Sequence, residues 1–189
     1  MFRDLVMTNR SYRRFDHSHA IDEQTLISLV DLARCTPAAA NLQPLKYMLS
    51  CSPERNATVY STLGWAGYLT DWPGPEEGER PSAYIVVLGD TRVSKGFGCD
   101  HGIAAQTILL GAVEIGLGGC MFGSIDRKML RAELAIDEHL EILLVIALGK
   151  PVEKVVLEEV GADVGIKYYR DEAGVHHVPK RTLDEIIVR

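Results

Sequence analysis

The sequence predicts an α/β or α+β fold, with helices packed on a small mixed sheet. Three observations predict it. Helical and strand-like patterns alternate along the chain. Two short runs, Ala83–Gly89 and Ile142–Leu148, are apolar throughout, as strands covered on both faces are. Tight hairpin signals are few, so helices and loops join most strands. The 189 residues fit a single domain spanning 1–189, and at 47% hydrophobic they can bury a substantial core.

The elements follow in order. Residues 2–9 read as a short helix with Phe2, Leu5 and Val6 on one side. Asp22 suits the N-cap of a second helix, flanked by Ile21 and Leu26 as a hydrophobic staple. Leu26, Leu29, Val30 and Ala33 then recur at helical spacing, and Pro37 forces a stop near Thr36. Lys46–Ser50 reads as a short strand. Ser52-Pro53 reads as an N-cap with proline at N1, opening a helix to about Leu63. Residues 64–82, rich in Gly, Pro and aromatics, read as a loop or irregular excursion. Asp100 to about Gly116 is apolar nearly all round and belongs in a core or against a partner. Asp126 caps another helix, with Ile125 as its staple residue. The tail from about 152 is polar and loosely patterned until Thr182-Leu-Asp-Glu185, a capping box for a last short helix or turn.

Composition excludes several function classes. With 20 basic and 26 acidic residues the net charge is -6, which argues against general nucleic-acid or anionic-membrane binding. The four cysteines, at 35, 51, 99 and 120, show neither zinc-ligand nor CxxC spacing, and read as free thiols in a reducing compartment. No leader-like apolar segment opens the chain and no apolar run is long enough for a membrane span. A soluble cytoplasmic protein with no metal site is the expectation.

Against that acidic background, Arg10-Ser-Tyr-Arg-Arg-Phe15 crowds three arginines into five residues. The planar guanidinium fork suits phosphate, and Ser11 adds a hydroxyl donor. The alternative is a solvated basic edge paired with nearby acids. Lys180-Arg181 forms a second basic pair that can converge on the same anion. Pro37-Ala-Ala-Ala-Asn-Leu-Gln-Pro44 is a small-residue turn carrying two amides; its alanines let a ring approach the main chain, and Asn41 and Gln43 suit flavin or ribityl edges. It reads equally as an ordinary helix-to-strand turn. Gly116-Leu-Gly-Gly119 fails both the Rossmann and P-loop tests, leaving a glycine-rich helix exit that offers N–H groups to a ligand or forms a C-cap. Trp65, Tyr68 and Trp72 read as core packing or a pocket lining. Acid–base candidates are scarce, which fits chemistry carried by a cofactor.

These pieces, in this order, resemble the nitroreductase family of flavoproteins. Arg10-Ser-Tyr-Arg-Arg-Phe15 resembles that family's Arg-Ser-x-Arg-x-Phe motif, and Pro37–Pro44 its Pro-Ser-x-x-Asn-x-Gln-Pro turn. Asp100–Gly119 is similar to the family's central helix ending in Gly-Leu-Gly. Leu148-Gly-Lys-Pro151 resembles its Gly-Tyr-Pro strand end, and Pro179-Lys-Arg-Thr-Leu-Asp-Glu-Ile186 its basic tail. The resemblance implies an α+β nitroreductase-like sandwich, an intertwined homodimer, and FMN bound across the interface. It implies that Arg10, Ser11 and Arg13 hold the FMN phosphate, helped by Lys180 or Arg181. Asn41 would contact the flavin or ribityl chain, with Pro37, Ala38 and Ala39 contributed by the other subunit. Phe122 and Gly123 would present backbone N–H groups to the flavin.

The activity implied is ping-pong transfer of hydride from NADH or NADPH, through flavin N5, to a nitroaromatic, quinone or similar acceptor. Dehalogenation, oxidation or flavin fragmentation on the same scaffold, or a non-catalytic flavin carrier, are the alternatives. Two departures stand out. Ala38 replaces the family's usual serine, and the chain is short between its early helices and Asp100. The pocket is therefore expected to be more open, or closed by residues 64–75.

Overall fold

The computed structural model describes residues 1–160 and 165–189. Its centre is an antiparallel sheet of five strands. β1 is Phe15–Asp16, β2 Leu45–Ser50, β3 Ala83–Asp90, β4 Gly118–Phe122 and β5 Leu140–Pro151. The order is β1-β5-β3-β2, with β4 paired to β5 just beyond β1. β3 and β5 run antiparallel from Ala83 opposite Leu148 to Asp90 opposite Leu140, with a bulge near Val87 and Leu88. Both are apolar runs because both their faces are covered.

Alternate side chains of those strands feed two cores. Ile85, Val87, Ile146 and Leu148 meet α2 (Glu23–Arg34) and α4 (Asp100–Glu114) through Leu26, Leu29, Ala105 and Ile108. Tyr84, Val86, Val145 and Ala147 meet α3 (Pro53–Ser61) and α5 (Arg127–Glu133) through Val59 and Leu130. This is the α+β sandwich expected. Its main sheet is wholly antiparallel among the named strands; the mixed pairing lies in a second sheet of three strands. There β6 (Val155–Val160) runs parallel to β8 (His176–Arg181), and β7 (Tyr169–Arg170) antiparallel to it. Two short helices, α1 (Phe2–Thr8) and α6 (Leu183–Ile186), sit at the ends.

The local signals act as read. The Asp22 side chain accepts from the Thr25 N–H at 2.8 Å, and Ile21 and Leu26 are both buried. Ser52 caps α3 with Pro53 in its first turn. Asp126 caps α5, and the Thr182–Glu185 capping box forms. The segment 64–82 is irregular apart from one turn of 3-10 helix at Glu77–Glu79. Two readings need correction. The glycine run after α4 is not all helix exit: Gly116 is its left-handed C-cap residue at φ +78°, but Gly118 and Gly119 belong to β4. A Cβ on Gly119 would collide with the Ala147 carbonyl, so glycine there serves close strand packing. The tail beyond 152, read as loosely patterned, is largely the second sheet. The α4 helix, read as apolar nearly all round, is buried along Ala104, Ala105, Ile108 and Ala112, while Ile103 lies on its exposed side.

Candidate functional site

The arginine segment runs beside β4. The Tyr12 N–H donates to the Gly119 carbonyl at 3.1 Å, and Ser11 bridges to Gly119 in parallel sense. That contact fixes Arg10, Ser11 and Arg13 at the sheet edge, and the neighbouring Gly118, where a Cβ would meet the Tyr12 ring, leaves room for it. Across from them runs β8. Strand alternation puts His176, Val178 and Lys180 on one face and His177 and Arg181 on the other. Arg10, Ser11, Arg13, His176 and Lys180 thus line one cavity of about 440 Å³, with Gln106 and Leu109 of α4, Met121 and Tyr168.

The donors in this cavity are only partly used. Arg10 donates through Nη2 to the Val6 carbonyl at 2.6 Å, while its Nε is buried with no partner among the described residues. Arg13 reaches the Ser11 carbonyl at 3.2 Å and lies over the Tyr168 ring, 5.0 Å from its centroid. Its Nη1 is 3.5 Å from His176 Nε2. A guanidinium can only donate, so Nε2 accepts and the ring proton sits on Nδ1. That Nδ1 is also buried without a partner. Burial, then the charges of Arg13, Arg170 and His177, lower the His176 pKa to about 4, so the ring is neutral at pH 7. Lys180 makes no ion pair among the described residues. A set of donors with so few acceptors fits a phosphate.

The remaining basic residues are engaged elsewhere. Arg14 forms a forked pair with Glu79, at 2.6 and 2.5 Å, which holds the Glu79 carboxyl below its ordinary range. Arg181 pairs with Glu185 at 3.5 Å, so Lys180 is the member of that pair that lines the cavity. Behind the site lies a residue the sequence reading missed. The buried Glu153 side chain accepts from the Arg13 backbone N–H and, at 3.1 Å, from Arg170. It braces the arginine segment from below.

Arg13, Met121 and Tyr168 also line a second, smaller cavity of about 160 Å³, together with Phe122, Gly123 and the loop residues Gly64, Ala66 and Gly67. A Cβ on Gly123 would meet nothing within 4 Å, so its main chain is open to a ring. Trp65 packs its ring 4.7 Å from that of Phe122 and 5.4 Å from that of Tyr60. Of the aromatics in the 64–82 loop, Trp65 packs, and it is the small residues Gly64, Ala66 and Gly67 beside it that line this cavity. Cys120, on the same wall, is buried, and burial pushes its thiol up, so it stays protonated at pH 7.

Pro37, Ala38, Ala39 and Asn41 are not brought to these cavities within one chain. Pro37 and Ala38 line a different cavity, of about 300 Å³, with Tyr47 and Asp100. The Ala39 N–H donates to both carboxylate oxygens of buried Asp100, at 3.1 and 3.2 Å. Ala40, Asn41 and Gln43 have left-handed backbones at φ +48°, +56° and +52°. A tie of this kind holds an exposed turn in a conformation that non-glycine residues disfavour. Sequence reasoning named the turn but not Asp100 as its anchor. A period-of-two reading of residues 176–180 would have found His176 beside Lys180.

Comparison with known proteins bears on the fold. Residues 89–150 match the model described as the nitroreductase family. A protein of Methanothermobacter thermautotrophicus, provisionally named an NADH dehydrogenase/NAD(P)H nitroreductase, is 28% identical over 157 residues, covering 79% of this chain and 77% of its own. Among solved structures, one from Exiguobacterium sibiricum, provisionally described as a nitroreductase in complex with FMN, aligns with a TM-score of 0.68. It is 16% identical and the match covers 81% of this chain and 89% of the other. Another from Staphylococcus epidermidis, provisionally described as an NAD(P)H:FMN oxidoreductase, gives a TM-score of 0.66 at 17% identity, covering 81% and 88%. The family model over residues 89–150, the relatives and the shared fold all make this chain similar to members of the nitroreductase family, in line with the ordered motifs.

Proposed function

We propose that this protein is an FMN-dependent oxidoreductase that takes hydride from NADH or NADPH and reduces a nitroaromatic, quinone or similar acceptor. One observation carries the reading. A cavity rich in only partly used donors, from Arg10, Ser11, Arg13 and Lys180, adjoins a cavity lined by Phe122 and Gly123, the two sharing Arg13, Met121 and Tyr168. A phosphate at one end and a flat ring at the other describe a flavin mononucleotide.

In this reading Arg10 and Arg13 bind the phosphate by charge-assisted hydrogen bonds, Lys180 adds charge, and Ser11 a hydroxyl. Neutral His176 holds Arg13 from its inner side without adding a positive charge. Gly123 admits close approach of the ring, and Phe122, backed by Trp65, walls it from water. When bound, FMN supplies the hydride-accepting and electron-donating chemistry that these side chains lack. Asn41, with Pro37, Ala38 and Ala39, completes the ring contacts from a second copy of the chain, which makes the active form a homodimer. The acceptor binds where the donor nicotinamide leaves, so turnover is ping-pong. A cytoplasmic setting goes with this reading, since it supplies reduced nicotinamide. All four cysteines are free thiols, and no helix among the described residues is long and apolar enough to cross a membrane.

The visible spectrum of the purified protein, before and after anaerobic NADH or NADPH, tests the proposal. Flavin absorption that bleaches with either donor is the expected result. Flavin absorption that persists with both donors points to a carrier, and no absorption after added FMN removes the flavoprotein reading.

A further inference from the structure

We propose that a second cavity, between α3 and the 77–82 segment, binds a small planar carboxylate. It has a volume of about 240 Å³ and shares no lining residue with the cavities of the candidate site. It repeats their signature of polar atoms left without partners. Ser82 is buried, and its Oγ has no partner among the described residues; the same holds for Nε of Arg80. Such groups cost stability unless something satisfies them.

The chemistry of the lining selects the ligand. Arg80 makes no ion pair among the described residues, although the protein has more acids than bases. Its guanidinium carbon stands 4.3 Å from the centroid of Tyr60, which holds the cation against an aromatic wall. Burial pushes the Tyr84 phenol up, so this wall residue remains an O–H donor. Asn56 is occupied at both ends, accepting from Ser50 at 2.8 Å and donating to the Ser82 carbonyl at 2.7 Å. It fixes the Ser82 backbone beside the cavity. His17 Nδ1 donates to the Arg80 carbonyl at 3.2 Å and steadies the next turn of chain. Glu77, exposed, is the one carboxylate on the lining. Arginine, serine and phenol donors between tyrosine rings call for a flat acceptor group. The volume suits one substituted ring and excludes a dinucleotide.

The site is wired to the candidate active site by packing. Tyr60 touches Trp65, and Trp65 touches Phe122. An occupant against Tyr60 is therefore two ring contacts from the Phe122 wall.

Benzoate is the probe. The protein, with excess FMN, is titrated calorimetrically with benzoate and with its neutral counterpart benzamide. Saturable benzoate binding is expected, about tenfold or more weaker for benzamide and for Arg80→Gln, since a charge-assisted contact is lost in each. Ala57→Leu is the second variant. Ala57 lies exposed on α3 and on the cavity lining, so leucine suits the helix while filling the space. It should abolish binding with the melting temperature held. Absence of saturable binding in the parent protein overturns the proposal, and so does equal binding in the parent and both variants. Both readings stand whether or not the FMN bleaches, so the flavin proposal is tested separately.

Discussion

The arginine cavity and the Pro37–Asn41 turn are two parts of one proposed FMN site, yet the chain treats them differently. The cavity is assembled within the chain: β4, β8 and the arginine segment converge, and Glu153 braces them from below. The turn is exposed, backbone-strained and anchored to Asp100. A region complete by itself can bind an anion alone. A region held in a costly conformation with no counterpart on its own chain is shaped for something brought to it. The difference teaches that phosphate affinity should reside in one chain and ring affinity in the pair.

The largest effect should come from breaking the brace. Glu153→Ala leaves Arg170 without its buried partner and frees the Arg13 N–H. Removing one member of a buried pair costs about 3–5 kcal/mol, so chemical denaturation should show a loss of that order. A loss within the range of ordinary surface substitutions would mean the cavity stands without Glu153. Next is Arg13→Ala. It should weaken FMN binding about 30- to 100-fold, the loss of a charge-assisted contact, and leave riboflavin, which lacks the phosphate, nearly unaffected. Equal losses for both ligands would move Arg13 from the phosphate to the ring. Diluting the protein should do the reverse, lowering affinity for both ligands together as the second copy is lost.

A smaller effect concerns pH. In the unfolded chain His176 takes up a proton near the ordinary histidine pKa, about 6.5. In the fold it does so only near about 4. The unfolded state therefore binds more protons in that window, and stability falls as pH drops from about 6.5 towards 4, by on the order of 2 kcal/mol. His177 works the other way. Hydrogen bonds to Asp171 and then Glu158 raise its pKa, so its contribution is present below the ordinary histidine pKa and fades as pH rises through the folded value. His176→Gln should flatten the acid limb of a stability–pH curve while His177→Gln flattens the other side. Identical curves for parent and both variants would remove these histidines from the account.

How much of this was legible depended on the range of the interaction that decides each piece. Caps and staples act within four residues, and Asp22, Ser52 and Thr182 were readable for that reason. The apolar runs of β3 and β5 announced burial without needing a partner to be known. β8 was not readable: Pro179 and its charged neighbours hide a strand whose parallel partner, β6, lies across a chain reversal. The glycines of β4 were misplaced because what requires them, the carbonyl of Ala147 and the ring of Tyr12, is distant in sequence. Among site residues, Arg10, Ser11, Arg13 and Lys180 converge as the motifs suggested. Glu153, His176 and Tyr168 join them only through tertiary contacts, and no local pattern marks a brace.

The smallest expected effect returns to the turn. Ala40 holds φ +48° and ψ +20°, where an alanine pays for its Cβ by roughly 1–2 kcal/mol relative to glycine. Ala40→Gly relieves that strain but gives the unfolded chain more freedom, about 0.5–1 kcal/mol in the opposite direction. A net stabilisation of a few tenths to about 1 kcal/mol should remain. If the turn is shaped for the ring bound by a second copy, the same change should loosen FMN and riboflavin alike, because the conformation is then less pre-organised. Phosphate itself, which meets only the arginine cavity, should bind as before. A variant that is more stable and binds both flavins unchanged would show that the strain belongs to the fold of the turn and not to the ligand it faces.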